Sequence, residues 1–430
     1  MQLICYNKNM NIEVGSSDLS IRFIHAADCH LDRPFSGVGQ CPPQLAERFE
    51  ESTFTALERV IQKAVMERVD FIIFAGDIYD QSHRSLRAQK RFAKNMSLLK
   101  EHGIDVYIIH GNHDFLDNNN HLLTLPDNVH VFGPTVSMMP FEKQGRPRVH
   151  LYGFSYPERH VHDDMSAHFH KVDGADFHIG ILHGSVQGNK QHEVYAPFTV
   201  KSLIEKDFDY WALGHIHKRQ TLSEEPPIHY PGNIQGLNIK ESGDKGALLV
   251  ELDRHKTEVS FFKTADIIWI DETVSIVNCP SIDRLIDRIE TLKESIRREE
   301  GVLARVTFAG QGPLHHLLYE EAMIEEMLEA LRDGEDEIEN FVWLMFFQLK
   351  TKPEWDREQL MSSPYFTGDL LRLSCRETSI KPMISDLFSH RRAKKYLDRL
   401  NKDEEAGILR EAETLLIDAL YDLEKGEEND

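Results

Sequence analysis

Seven residues of metal-ligand type stand in five short motifs. Asp28 and His30 are two apart in Asp28-Cys29-His30, and Asp77 opens Asp77-Ile78-Tyr79-Asp80. Asn112 follows Gly111 in Gly111-Asn112-His113-Asp114, His183 precedes Gly184, and His215 and His217 close Gly214-His215-Ile216-His217. In extended backbone an i, i+2 pair projects to one side, so Asp28 with His30 and His215 with His217 can each aim two donors together. Taken singly these motifs are weak, because D-x-H and H-x-H are more often surface turns and Gly-Asp after a strand is commonly a turn or a helix cap. Taken in order, with glycine beside four of them to let backbone approach closely, they read as one metal site. Seven ligands are too many for a single catalytic ion that must keep open positions, so two metals fit the set better than one. The 23 histidines of the chain agree with this, neutral imidazole being the commonest transition-metal ligand.

Each motif follows an apolar run. Strands are expected at residues 21–27, 71–75, 106–110, 149–154, 177–183 and 210–214, with helices at 45–68 and 85–102. The β-α-β-α-β rhythm implies an α/β fold with a mostly parallel sheet and right-handed crossovers. Open α/β sheets carry their sites at the C-terminal strand ends, where all seven residues fall. Apolar runs at 247–252 and 259–264 look like a closing hairpin, which ends a first domain spanning residues 20–265. Residues 266–352 read as a small α+β capping domain, with strands at 267–277, 301–309 and 341–349 and helices at 281–300 and 314–332. Residues 353–430 read as a helical region ending in a helix over 404–424, whose Ile408, Leu409, Leu415, Leu416, Leu420 and Leu423 fall at helical spacing. Residues 1–19 are polar and aperiodic, and are expected to be a disordered leader or an upstream translation start.

Composition excludes some classes. The 430 residues carry a formal charge of −22, divided as −6 over residues 1–265 and −16 over 266–430. So acidic a chain repels polyanions, and a nucleic-acid substrate would have to be held by a local basic patch and bound cations. No window approaches the roughly 18 consecutive apolar residues of a membrane span. Five cysteines without a CxxC pair, and no apolar signal core, point to a reducing cytoplasm and to no zinc knuckle.

D-x-H, GD-x-x-D, GNHD, a histidine in HG and GH-x-H, in this order, resemble the calcineurin-like metallophosphoesterases. The flanking segments FIHAADCHLDRP, AGDIYD, YWALGHIHKR and YPGNIQG narrow the resemblance to the SbcD-type DNA repair nucleases, and within them to a YhaO-like bacterial branch. It is specific over residues 21–265, plausible for a cap over 266–350 and faint beyond. It implies a four-layer αββα domain holding a dinuclear Mn²⁺ centre. Asp28, His30 and His217 would then ligate one ion, Asn112, His183 and His215 the other, and Asp77 both. The donor set suits Mn²⁺, Fe²⁺ or Zn²⁺ over calcium or copper. His113 would stabilise the transition state or protonate the leaving oxygen, with Asp80 fixing its tautomer. Some family members carry histidine where Asp80 stands. Partners implied are DNA, an SMC-like coiled-coil ATPase of SbcC or YhaN type, and a second copy of the chain.

The chemistry does not name the phosphoester. Arg84, Arg87, Lys90, Arg91 and Lys94 recur at three- and four-residue steps after Asp80, and residues 81–100 hold six positive and no negative charges. Such a stripe is either a solvated helix face or a phosphate-backbone contact beginning at a metal-site loop. Three hypotheses follow: a metal-dependent DNA nuclease subunit, an enzyme of small phosphoesters, and a scaffold that has lost turnover. All seven ligands are present, which argues against the scaffold, and the 165 residues after the core domain suit a protein that grips a partner.

Overall fold

The computed structural model describes residues 20–39, 41–80, 85–116, 123–188, 195–374, 380–392, 397 and 400–427. The expected leader over residues 1–19, and Arg84, lie outside the described residues. The chain divides into two compact units, one of Met1–Asp271, Ile296–Arg305 and Gly334–Met345, the other of Glu272–Ser295, Val306–Asp333 and Phe346–Asp430.

In the first unit the α/β class expected from the sequence takes the form of two six-stranded sheets. The strands β1 (Ile21–Ala26), β2 (Phe71–Ala75), β3 (Asp105–Ile109) and β4 (Val129–Val131) run parallel, and β11 (Gly246–Leu252) and β12 (Thr257–Lys263) add antiparallel strands in the order β12-β11-β1-β2-β3-β4. The other sheet has the order β5-β6-β7-β8-β10-β9, from β5 (Ser137–Lys143), β6 (Arg146–Gly153), β7 (Phe177–His183), β8 (Tyr210–Gly214), β9 (Gln220–Glu224) and β10 (Pro227–Tyr230). β6, β7 and β8 are parallel neighbours.

Alternation along the strands builds the layers. Ile24, Ile72 and Phe74 face α1 (Pro43–Glu67) and α2 (Leu86–Glu101), where Val60, Ile61, Phe92 and Met96 pack on them. Phe23, Ile73 and Ile109 turn the other way and meet Leu151, Ile181 and Ala212 of the second sheet. The outer face of that sheet is covered through Trp211 and Leu213 by Leu203 of α3 (Val200–Ile204) and by Phe208. Strands covered on both faces read as unbroken apolar runs, which is why β1, β2, β3, β7 and β8 were legible. β5, with the burial pattern of a rim strand and Pro140 within it, and the short β9 and β10 gave no such signal.

A third sheet has the order β13-β14-β15, from β13 (Ile267–Ser275), β14 (Gly301–Gln311) and β15 (Val342–Lys352). Ile267, Trp269, Leu303, Phe341 and Trp343 share a core with Leu45 and Phe49 of α1, and Arg48 and Arg59 hold Asp266 at 2.8 and 3.1 Å. In the second unit α4 (Ile282–Ile296) ends four residues before the expected boundary, and α5 (Glu321–Arg332) starts later than the expected 314. A 3-10 turn at Leu317–Tyr319 and extended backbone at Glu320 separate that stretch from the helix.

The C-terminal helices are α6 (Arg357–Ser362), α7 (Phe366–Ser374), α8 (Lys381–Ser389) and α9 (Lys402–Glu427). The apolar stripe expected to face one side of α9 is split. Ile417 is buried, while Leu415 and Leu416 are 66% and 49% exposed. The inner side instead follows Glu405, Leu409, Glu413 and Ile417 at four-residue steps, with Glu413 bound by Arg357 at 2.6 Å and by Ser374. Ion pairing and hydrogen bonding thus set the rotation of this helix, and apolar spacing is blind to both.

Candidate metal centre

The seven residues arrive where β1, β2, β3, β7 and β8 end. Past the end of β1 the chain stays bound to the turn after β2, with Asp28 N donating to Gly76 O at 3.1 Å, His30 N to Asp77 O at 3.0 Å and Leu31 N to Ile78 O at 2.9 Å. Four of the seven lie in the left-handed region, Asp28 at φ 51°, His30 at 43°, Asp77 at 51° and His215 at 99°. Each such non-glycine conformation costs about 1–3 kcal/mol, and such strain collects where surrounding structure enforces it for a purpose. Glycine is required beside them: a Cβ on Gly76, at φ 94°, would run into the His183 ring, and one on Gly214 into the Ala75 carbonyl.

The donors form two adjoining groups. Asp28, His30 and His217 bring ligand atoms within 4.8 Å of one another, with His30 Nε2 and His217 Nε2 only 3.1 Å apart. Asn112 Oδ1 lies 3.0 Å from His183 Nε2 and 3.3 Å from His215 Nδ1. Between the groups, Asp77 Oδ2 stands 3.9 Å from His30 Nε2 and 3.4 Å from His183 Nε2. Beside them His113 Nδ1 meets Asp80 Oδ2 at 3.2 Å, and the same oxygen takes Arg33 at 3.4 Å. All but His215 and His217 of the seven are fully buried.

These residues fit divalent ions. His217 Nδ1 is taken by Glu241 at 2.8 Å and His183 Nδ1 by the Ala75 carbonyl at 2.9 Å, so each ring turns Nε2 into the cluster, as the outer partners of metal-bound imidazoles do. The charges are poised for the same task. Burial, then His217, pushes His30 down to about 3, so that ring is neutral. Burial raises Asp28 to about 6 against the pull of His217 and His183. Burial also works against ionisation at Asp77, yet the charge and hydrogen bond of His183 hold its carboxyl well below the usual range. At His183 burial pulls downward, but the same pairing outweighs it and raises the ring to about 9.

Two supporting carboxylates escape any reading of the motifs alone. Asp114 accepts Ile78 N at 2.8 Å and Gly111 N at 2.7 Å, tying together the turns that carry Asp77 and Asn112, and its place in GNHD was the available signal. Glu241, in a 3-10 turn 24 residues beyond His217, offered none. The basic stripe also looks different in three dimensions. Arg87 and Arg91 both pair with Glu51 of α1 and lie over the Phe54 ring at 5.1 and 4.5 Å. Lys90 and Lys94 are exposed and make no ion pair among the described residues. Tyr79 is buried against Phe92.

Residues 21–219 match the calcineurin-like phosphoesterase family, and residues 269–352 match the middle domain of the metallophosphoesterase YhaO. Over 399 residues the chain is 37% identical to the uncharacterized metallophosphoesterase YhaO of Bacillus subtilis, covering 92% of this chain and 97% of that one. The chain belongs to the YhaO family of calcineurin-like metallophosphoesterases. A YhaO-type chain is thereby a phosphoester hydrolase by family, on a fold that uses a dinuclear metal centre. More distant similarity joins this YhaO-family chain to the DNA double-strand break repair protein Mre11. The Methanopyrus kandleri protein is 24% identical over 54% of each chain, and the Sulfolobus acidocaldarius protein 24% identical over 73% of this chain and 80% of its own. No helix among the described residues is long and apolar enough to cross a membrane.

Proposed function

We propose that this chain is a metal-dependent DNA nuclease subunit acting in DNA repair with an SMC-like coiled-coil ATPase. The observation that carries the reading is Asp77 standing between two donor groups, with the His113–Asp80 pair beside them on a solvent-reached cleft. In this reading Asp28, His30 and His217 hold one ion, Asn112, His183 and His215 the other, and Asp77 both. Bound Mn²⁺, with Fe²⁺ and Zn²⁺ as alternatives, supplies Lewis-acid chemistry and a nucleophile at neutral pH. In the imidazolium form of His113, Nδ1–H donates to Asp80 and Nε2–H is left for the substrate, where it would pass its proton to the leaving oxygen and leave the neutral ring with its proton on Nδ1. The relatives named as DNA double-strand break repair proteins support DNA as the substrate.

The deciding experiment gives the Mn²⁺-loaded chain labelled linear duplex, circular single strands and bis(p-nitrophenyl) phosphate. Cleavage of DNA is the expected result. Hydrolysis of the small diester with both DNAs intact would assign the chain to small phosphoesters instead. Co-purification with an SbcC- or YhaN-type ATPase is expected, and its failure would remove that partner.

Metal loading should depend on pH. Near pH 7 the Asp77–His183 pair holds a proton, because His183 is raised to about 9, and an entering ion must displace it. Affinity is therefore expected to climb as pH rises from 7 to 9, by up to about tenfold per unit, and then to level off. Calorimetry in buffers of different ionisation heat counts the released proton; none released would take His183 out of the ligand set.

For DNA contact the residues to change are Lys90 and Lys94, since reversing Arg87 or Arg91 would break their bonds to Glu51. Lys90→Glu with Lys94→Glu is expected to lower the log–log salt slope of duplex binding by about 0.9 for each phosphate no longer neutralised. An unchanged slope would make α2 a solvated face.

A further inference from the structure

The candidate centre forms one side of a cleft of about 540 Å³. The same cleft is also lined by residues the chemistry above does not use, among them Lys218, Asn238, Lys240 and Lys245. Lys218 follows His217 directly, and Lys240 sits in the 3-10 turn Ile239–Glu241. Both are exposed and neither makes an ion pair among the described residues. Lys245 is buried, with Nζ bound to the His217 carbonyl at 2.9 Å.

Two carboxylates close to Lys240 and Lys245 along the chain already have partners. Glu241 accepts His217 Nδ1 at 2.8 Å, Asn233 Nδ2 at 2.9 Å and Leu237 N at 2.8 Å. Asp244 is held by Lys263 at 3.1 Å and Arg298 at 3.2 Å. Three ammonium groups line the cleft against two carboxylates, Asp77 and Glu241, so the lining is positive on balance in a chain of net charge −22, and a concave wall concentrates that field. An ammonium without a partner beside a phosphoester site is a donor for a phosphate oxygen.

We infer that Lys218 and Lys240 form a second phosphate subsite, which takes the phosphate next to the scissile one in a substrate carrying two or more. This rests on the reading of the centre as the place of phosphoester hydrolysis. The shared ligand chemistry is a phosphate one step from the bond that breaks, whether in a nucleic-acid backbone or in a nucleoside polyphosphate. Lys245 holds the backbone of the strand-end loop and stays inside the wall.

The test compares esters that differ only in the flanking phosphate. The Mn²⁺-loaded full chain is given the dinucleotide d(TpT), its 5′- and 3′-phosphorylated forms, and p-nitrophenyl esters of thymidine 5′-monophosphate and 5′-diphosphate. Wild type is expected to favour the flanked member of a pair. Lys218→Ala and Lys240→Ala should each reduce that preference about tenfold, chiefly through KM, the loss of one charge-assisted hydrogen bond. Lys218→Arg should restore most of it. A preference confined to the phosphorylated dinucleotides identifies a nucleic-acid backbone, and one confined to the diphosphate ester identifies a nucleoside polyphosphate. An active enzyme with no preference, or with the same preference in both alanine variants, overturns the subsite and leaves the hydrolase reading standing. A chain inert on every ester overturns both.

Discussion

Asp77→Asn is expected to lower turnover by about 10³-fold or more and to reduce metal content at both ion positions. The magnitude follows from the several kcal/mol that two clamped ions contribute to a phosphoryl transition state, at about 1.36 kcal/mol per decade. Asparagine is the informative replacement because Asp77 sits at φ 51°, a region asparagine tolerates and alanine does not. The substituted amide can keep the bond that Oδ1 accepts from His113 N at 2.9 Å while removing the charge between the two donor groups. The variant should therefore stay folded. His183 loses the carboxylate that outweighs its burial, so its proton should leave at a lower pH. Elemental analysis and steady-state rates together check the result; two ions retained with normal turnover would show that Asp77 bridges nothing.

His113→Gln separates proton transfer from metal binding. The ring is half-buried, bound through Nδ1 to Asp80, and packs edge-on to His30 at 5.1 Å. Its loss should leave the metal content of the protein intact and reduce kcat by about 10²–10⁴-fold, the usual worth of a positioned acid or base. An ester with a good leaving group, such as p-nitrophenolate, needs little protonation and should lose much less than DNA. Equal loss on both would assign His113 to binding rather than to proton transfer, and loss of metal would make it a ligand.

The chemistry of the site and its position on the sheets are written in the order of the amino acids. Ligand types, their i, i+2 spacing and the glycines beside them are local, and so are the apolar runs of strands covered on both faces. Hence Asp28, His30, Asp77, Asn112, His183, His215 and His217 could be named as candidate ligands, and the strand ends that carry them located, from residue type, spacing, periodicity and turn chemistry. The remainder emerges only in the folded chain, because it depends on pairings between residues far apart along it. Glu241 selects the free nitrogen of His217, and Asp114 joins two turns whose strands meet only in the sheet. Glu51 on α1 takes up Arg87 and Arg91 of a stripe that reads from sequence as uncommitted charge. Lys218 and Lys240 make no ion pair among the described residues, while Glu241 beside Lys240 is bound to His217. Whether a charge is free or neutralised is a property of its neighbours in space, and side-chain periodicity along the chain carries no information about it.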